Sequence, residues 1–160
     1  MIDVDKLLIN YHELKRSLGL LGFKIENYEM YRISTERTIE EMTFTSPQGE
    51  RVSTSGVTDK TARIALKYKN VTEDYNEEHL AELEERYKAR KYELDILERC
   101  ISLLTKELSG LITDMVINGM GVDVLSVKYD MSRTSIQRRY KKAVKEITGM
   151  YQELGLKETG

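Results

Sequence analysis

The chain is poor in the residues that staple, kink or span. Among its 160 residues the one cysteine, Cys100, cannot form an intramolecular disulfide, which fits a reducing compartment. Pro47 is the only proline and tryptophan is absent, so long helices can run without the lost donor and steric clash that proline imposes. No apolar run approaches the ~20 residues needed to cross a bilayer. Residues 1–10 mix Asp3, Asp5 and Lys6 with aliphatics and do not read as a signal peptide. The expectation is a cytoplasmic protein, with no membrane partner.

Catalytic and metal-binding patterns are also missing. His12 and His79 are the only histidines, far apart and with no cysteine beside either, which argues against zinc. The paired carboxylates Glu40–Glu41, Glu77–Glu78 and Glu84–Glu85 are sequence neighbours, and adjacent residues of a helix do not face each other. Gly119-x-Gly121 lacks the strand context of a phosphate loop. No nucleophile stands with a base and an orienting partner. The chain reads as a non-enzyme without metal or cofactor.

What is present is charge and helical periodicity. Charged residues make up 32% of the chain, and the net charge is only −2. The balance is uneven: residues 128–145 hold seven bases against Asp130 alone. A basic block in an otherwise acidic chain points to a polyanion. Val4, Leu7, Tyr11, Leu14, Leu18, Leu21, Ile25 and Tyr28 alternate three and four apart, one stripe of a helix that Asp3 can cap. Gly19 and Gly22 weaken its middle, where the reading allows a bend or a break. A Ser/Thr-rich stretch follows, with a turn at Ser46-Pro47-Gln48-Gly49; beyond a residual helix at 34–42 it reads either as a flexible connection or as a short hairpin with strands at 42–44 and 51–53. Helical signals resume at Thr58 or Asp59. After a polar interval at 73–78 a second stripe runs through Leu80, Leu83, Tyr87, Leu94, Leu97, Ile101 and Leu104. Two such stripes bury each other as a coiled-coil-like helical hairpin, within one chain or between two.

The last third carries the functional signal. Leu108, Leu111, Ile112, Met115 and Val116 have the spacing of a core-facing helix, which Asn118-Gly119 ends. A short helix at 122–129, a break at Asp130-Met131-Ser132 and a helix from Arg133 to about Thr148 follow, capped by Ser132. Ser126 is the small residue at the crossing, Met131 plugs the gap, and Ile136 and Tyr140 face inward. This is the spacing of a helix-turn-helix. The outward face then carries Arg133, Thr134, Gln137 and Arg138, assigned to base edges. Lys128, Arg139, Lys141 and Lys142 are assigned to phosphates. Tyr75, Tyr92 and Tyr151 are the tyrosines that no stripe constrains.

Residues 104–147 resemble region 4 of bacterial sigma factors, through Leu125-Ser126, Asp130-Met131-Ser132-Arg133, Ile136 and Ala143-Val144. Gly121, Ser126 and Asp130 stand where that pattern has a capping hydroxyl residue, alanine and glycine. The rest resembles the phage and prophage late-gene regulators of the RinA and ArpU type, on its organisation and on Thr58-Asp59-Lys60-Thr61-Ala62. The resemblance implies a transcription regulator of phage genes in the cytoplasm of a bacterial host cell; the expectation is that it binds double-stranded DNA and that its helical arm contacts RNA polymerase or a second copy. No aromatic-rich basic helix precedes Leu104, so independent promoter opening is not expected.

The expected architecture is all-α: a long N-terminal helix at 1–33, a polar flexible connection at 34–58, a long helix at 59–103 completing the hairpin, a DNA-binding helix-turn-helix at 104–150, and a tail at 151–160. The long helices are a route to a homo-oligomer. Two alternatives stay open: a module that grips RNA polymerase without reading DNA, and a small-terminase-like packaging component.

Overall fold

The computed structural model describes residues 3–35 and 59–156. All regular structure among the described residues is helical, the class expected from periodicity. The helices are α1 (Val4–Ile9), α2 (Tyr11–Glu26), α3 (Asp59–Leu103), α4 (Lys106–Ile112), α5 (Val122–Lys128) and α6 (Arg133–Glu153). A single 3₁₀ turn, Tyr28–Met30, follows α2, and a wider π-type turn, Thr113–Ile117, extends α4. The residual helix beyond residue 35, the turn at Ser46–Gly49, the strands read at 42–44 and 51–53, and the Thr58 cap lie outside the described residues. The chain clusters into two compact units: residues 1–20 with 88–160, and residues 21–87.

In the first unit Asp3 caps α1 as expected, its Oδ1 accepting from the Lys6 backbone N–H at 3.2 Å. The helical path is interrupted at Asn10, whereas α2 runs unbroken through Gly19 and Gly22. The core draws on five helices. Val4, Leu8 and Tyr11 of α1 and α2 meet Leu94, Leu97, Cys100 and Ile101 of α3, Leu108 and Ile112 of α4, and Ala143, Ile147 and Tyr151 of α6. Residues 104–150 therefore share their core with the N-terminal helices. Each fully buried aliphatic here contributes about 1.5–3 kcal/mol. The Tyr11 hydroxyl donates to Glu98 Oε1 at 2.5 Å. Burial, then that bond, pushes it up to about 12. Burial also raises the Cys100 thiol, which keeps it protonated and unreactive.

α6 continues past Thr148 to Glu153, so Tyr151, unconstrained in the sequence, is a core residue only 4% exposed. Gly155 ends the helix at φ +67°, with Leu156 N–H on the Tyr151 carbonyl and Gly155 N–H on Gln152. That is a Schellman cap, which glycine adopts at least cost.

The second unit is held differently. α3 passes without a break through residues 73–78, where the sequence suggests an interval. Glutamate is a good helix former, and Lys69 and Glu73 support each other one turn apart at 3.8 Å. Asn76, 6% exposed, clamps the backbone of Ile33 twice: its Oδ1 accepts from Ile33 N–H and its Nδ2 donates to Ile33 C=O, both at 2.9 Å. The Tyr28 hydroxyl donates to the Asn76 carbonyl at 2.9 Å, and His79 Nδ1 lies 2.9 Å from the same hydroxyl. With the phenolic proton committed to Asn76, His79 supplies the proton of the second contact. Gly22 stands where the Tyr87 ring comes within 3.3 Å of the place a Cβ would occupy.

Candidate nucleic-acid interface

The end of α4 and the two helices after it place the basic residues. Gly119, at φ +67°, terminates the π-type turn and redirects the chain toward α5. α5 closes on a second left-handed residue, Asp130 at φ 50°. Met131 N–H reaches back to the Ser126 carbonyl at 3.0 Å and Asp130 N–H to Val127 at 3.4 Å, the two bonds of a Schellman cap. Ser126 is small enough for the crossing, and its hydroxyl donates to the Met131 carbonyl across the turn. Ser132 then caps α6, its Oγ accepting from Ser135 N–H at 3.2 Å. Leu111, Leu125 and Ile136 form a compact apolar cluster under the turn, with Met115, Met120, Val122, Tyr129 and Met131 around it. Leu125 and Ile136 are both 0% exposed.

Fixing Ile136 inward turns the opposite side of α6 outward. Arg133, Thr134, Gln137, Arg138 and Lys141 are all exposed, as is Lys145 one turn further on. Tyr140 is half-buried and donates its hydroxyl to Asp5 Oδ1 at 2.7 Å, which ties the reverse side of α6 to α1. Thr134, Gln137, Arg138, Lys141 and Lys145 recur at i, i+3, i+4, i+7 and i+11, a single stripe. From Arg133 to Lys145 the helix has six bases and no acid.

The bases differ in what they already hold. Arg138, Lys141 and Lys145 have no carboxylate within ion-pair distance among the described residues. Arg133 Nε lies 2.6 Å from Asp123 Oδ1 on α5, with both side chains about 70% exposed. Lys142 lies 3.9 Å from Glu146, a loose surface pair. Arg139 is half-buried and paired with Glu107 of α4. Lys128 is bound to Asp114 at 2.6 Å. Arg139 and Lys128, read from the sequence as phosphate contacts, thus each hold a partner that fastens helices together.

Asp114 was not legible as a core residue. The π-type turn carries it inside, where it is 8% exposed. It accepts from Lys128 Nζ at 2.6 Å, from the Tyr129 hydroxyl at 2.7 Å and from Asn118 Nδ2 at 3.0 Å. The Lys128 bond, then those from Tyr129 and Asn118, outweigh burial and hold the carboxyl down to about 2. Burial and the Asp114 bond in turn push the Tyr129 hydroxyl up to about 12. A wholly satisfied charge at the junction of α4 and α5 fixes the base on which α6 rests. Lys145 is the other omission: it shares the stripe of Gln137 and Arg138, and its i+11 spacing from Thr134 was there to be read.

No group of three or more His, Cys, Asp or Glu side chains able to hold a metal occurs among the described residues. No helix among them is long and apolar enough to cross a membrane. Comparison with family models, curated proteins and solved structures found no match to this chain.

Proposed function

We propose that this protein is a sequence-specific DNA-binding regulator of transcription, reading duplex DNA with α6 in the major groove. α5, the turn at 129–132 and α6 act as a helix-turn-helix in this reading. The observation that carries it is the division of α6: Ile136 is 0% exposed while the stripe of Thr134, Gln137, Arg138, Lys141 and Lys145 is exposed and free of acid. Arg133 and Arg138 suit guanine, Gln137 suits adenine, and Thr134 suits a thymine methyl or a base-edge acceptor. Lys141, Lys142 and Lys145 serve phosphates.

Around this domain, the pairs Tyr11–Glu98 in one unit and Tyr28–Asn76 in the other support a helical-hairpin arm. The resemblance to phage regulators supports late phage genes as targets, with RNA polymerase as the arm's partner. A protein-gripping role without DNA readout is favoured by one feature, Val124 and Val127 of α5 at 57% and 84% exposed.

Fluorescence anisotropy on duplex DNA across a salt series separates these readings. The DNA reading predicts log K falling with log salt at about −0.9 per phosphate contact, and a slope shallower by about 1 in Lys145→Ala. Absence of duplex binding at 50 mM salt rejects DNA readout and leaves the protein-gripping role.

A further inference from the structure

The part of α3 in the second unit carries an apolar row that the described residues of that unit leave exposed. Thr72, Asn76 and Leu83 are its inward residues, at 4%, 6% and 2% exposed. About a quarter-turn away, at ~100° per residue, lie Ile64, Tyr68, Val71 and Tyr75. Ile64, Val71 and Tyr75 are 46%, 42% and 51% exposed, and Tyr68 is half-buried. Their four-three-four spacing is that of a coiled-coil seam, and it reads the same in either direction about the midpoint between Lys69 and Asn70. The charge around it does not. Residues 63–70 hold Arg63, Lys67 and Lys69 and no acid, whereas residues 73–80 hold four acids and neither lysine nor arginine.

We propose that this row is the interface between two copies of this chain, paired antiparallel through α3 about that midpoint. A two-fold interface must be complementary to itself. Reversal gives both matches at once. Ile64 of one copy packs on Tyr75 of the second, Tyr68 on Val71, and the basic half of each helix lies against the acidic half of the other. At the edge of the seam Lys67 of each copy faces Asp74 of the other, so the ion pair occurs twice. Parallel pairing would set the two acidic blocks side by side, and like charges oppose it. A pairing specified by the chain's own charge reversal selects a second copy as the occupant. This inference does not depend on the DNA reading.

Sedimentation velocity on the full chain tests it. The native protein is expected at twice 18.6 kDa at tens of micromolar. Lys67→Glu and Asp74→Lys are each expected to weaken dimerisation about tenfold, because two edge pairs turn repulsive. The double variant should recover to within about threefold of native, since each pair is rebuilt reversed. Both sites are exposed, and circular dichroism checks that the helix survives. Orientation is read by oxidative cross-linking: Tyr68→Cys mixed with Val71→Cys should couple, and Tyr68→Cys alone should not. A native chain that stays monomeric, a double variant no tighter than the singles, or self-coupling of Tyr68→Cys would each overturn the proposal.

Discussion

The two units solve the same problem by different means. The first packs fourteen buried residues into one apolar cluster, with Leu97, Ile112, Ala143 and Ile147 at 0% exposed. Among its described residues the second buries Tyr28 and Leu83 beside the polar Thr72 and Asn76. Dry packing is non-directional and gains in proportion to area. An amide clamped to a backbone gains little net, but fixes one geometry because leaving it unpaired is expensive. The first unit should therefore dominate stability, and the second should hold its form through few contacts that are individually decisive. The basic stripe of α6, proposed above to read DNA, sits on the well-packed unit, which would hold such a surface rigid.

The sharpest way to break this contrast is to empty part of the first core. Ile147→Ala should cost about 2–5 kcal/mol in denaturant unfolding, because the residue is 0% exposed and a cavity would remain. Asn76→Ala should cost less, about 1–3 kcal/mol. Its signature should be faster hydrogen exchange at the Ile33 amide, whose acceptor is the lost Asn76 Oδ1.

Asp114 is the charged exception in the dry unit, and Asp114→Asn should cost roughly 1–2 kcal/mol at neutral pH. Its folded carboxyl is held near 2, below the ordinary 3.8. The stabilisation it gives is therefore complete above about pH 5 and fades as pH falls toward about 2. The difference in stability between native and variant should shrink over that range. A difference independent of pH would refute the network.

The smallest expected effect is a gain. Asp130 sits at φ 50°, where glycine is less strained, so Asp130→Gly should stabilise by about 0.5–1 kcal/mol. A loss there would mean that the Asp130 side chain contributes more than its backbone strain costs.

Local rules carried much of this fold in plain view. The Asp3 and Ser132 caps and the inward Leu125 and Ile136 follow from spacing and capping chemistry. The exposed set Thr134, Gln137, Arg138 and Lys141 follows from an inward Ile136, because helix periodicity is rigid, and Arg133 is exposed as the first residue of α6. What escaped depends on partners distant in sequence or on irregular backbone. Asp114 enters the core because a π-type turn shifts the register, and two of its three partners, Lys128 and Tyr129, lie at the end of the next helix. Asn76 is buried by a backbone segment 43 residues away. Glu107 and Asp123 pair with α6 across turns that no pattern encodes. No break occurs at Gly19 and Gly22, because helix propensity is weak beside packing such as Tyr87 on Gly22.

The central claim is that α6 presents Arg133, Gln137 and Arg138 as readers on a fixed base. Selection of bound duplexes from a randomised pool tests it most directly. The account predicts a short enriched motif for the native chain. In Arg133→Ala, Gln137→Ala and Arg138→Ala, preference should be lost at separate single positions, by about 1–3 kcal/mol each. Enrichment of no motif, or a motif unchanged in all three variants, would contradict it.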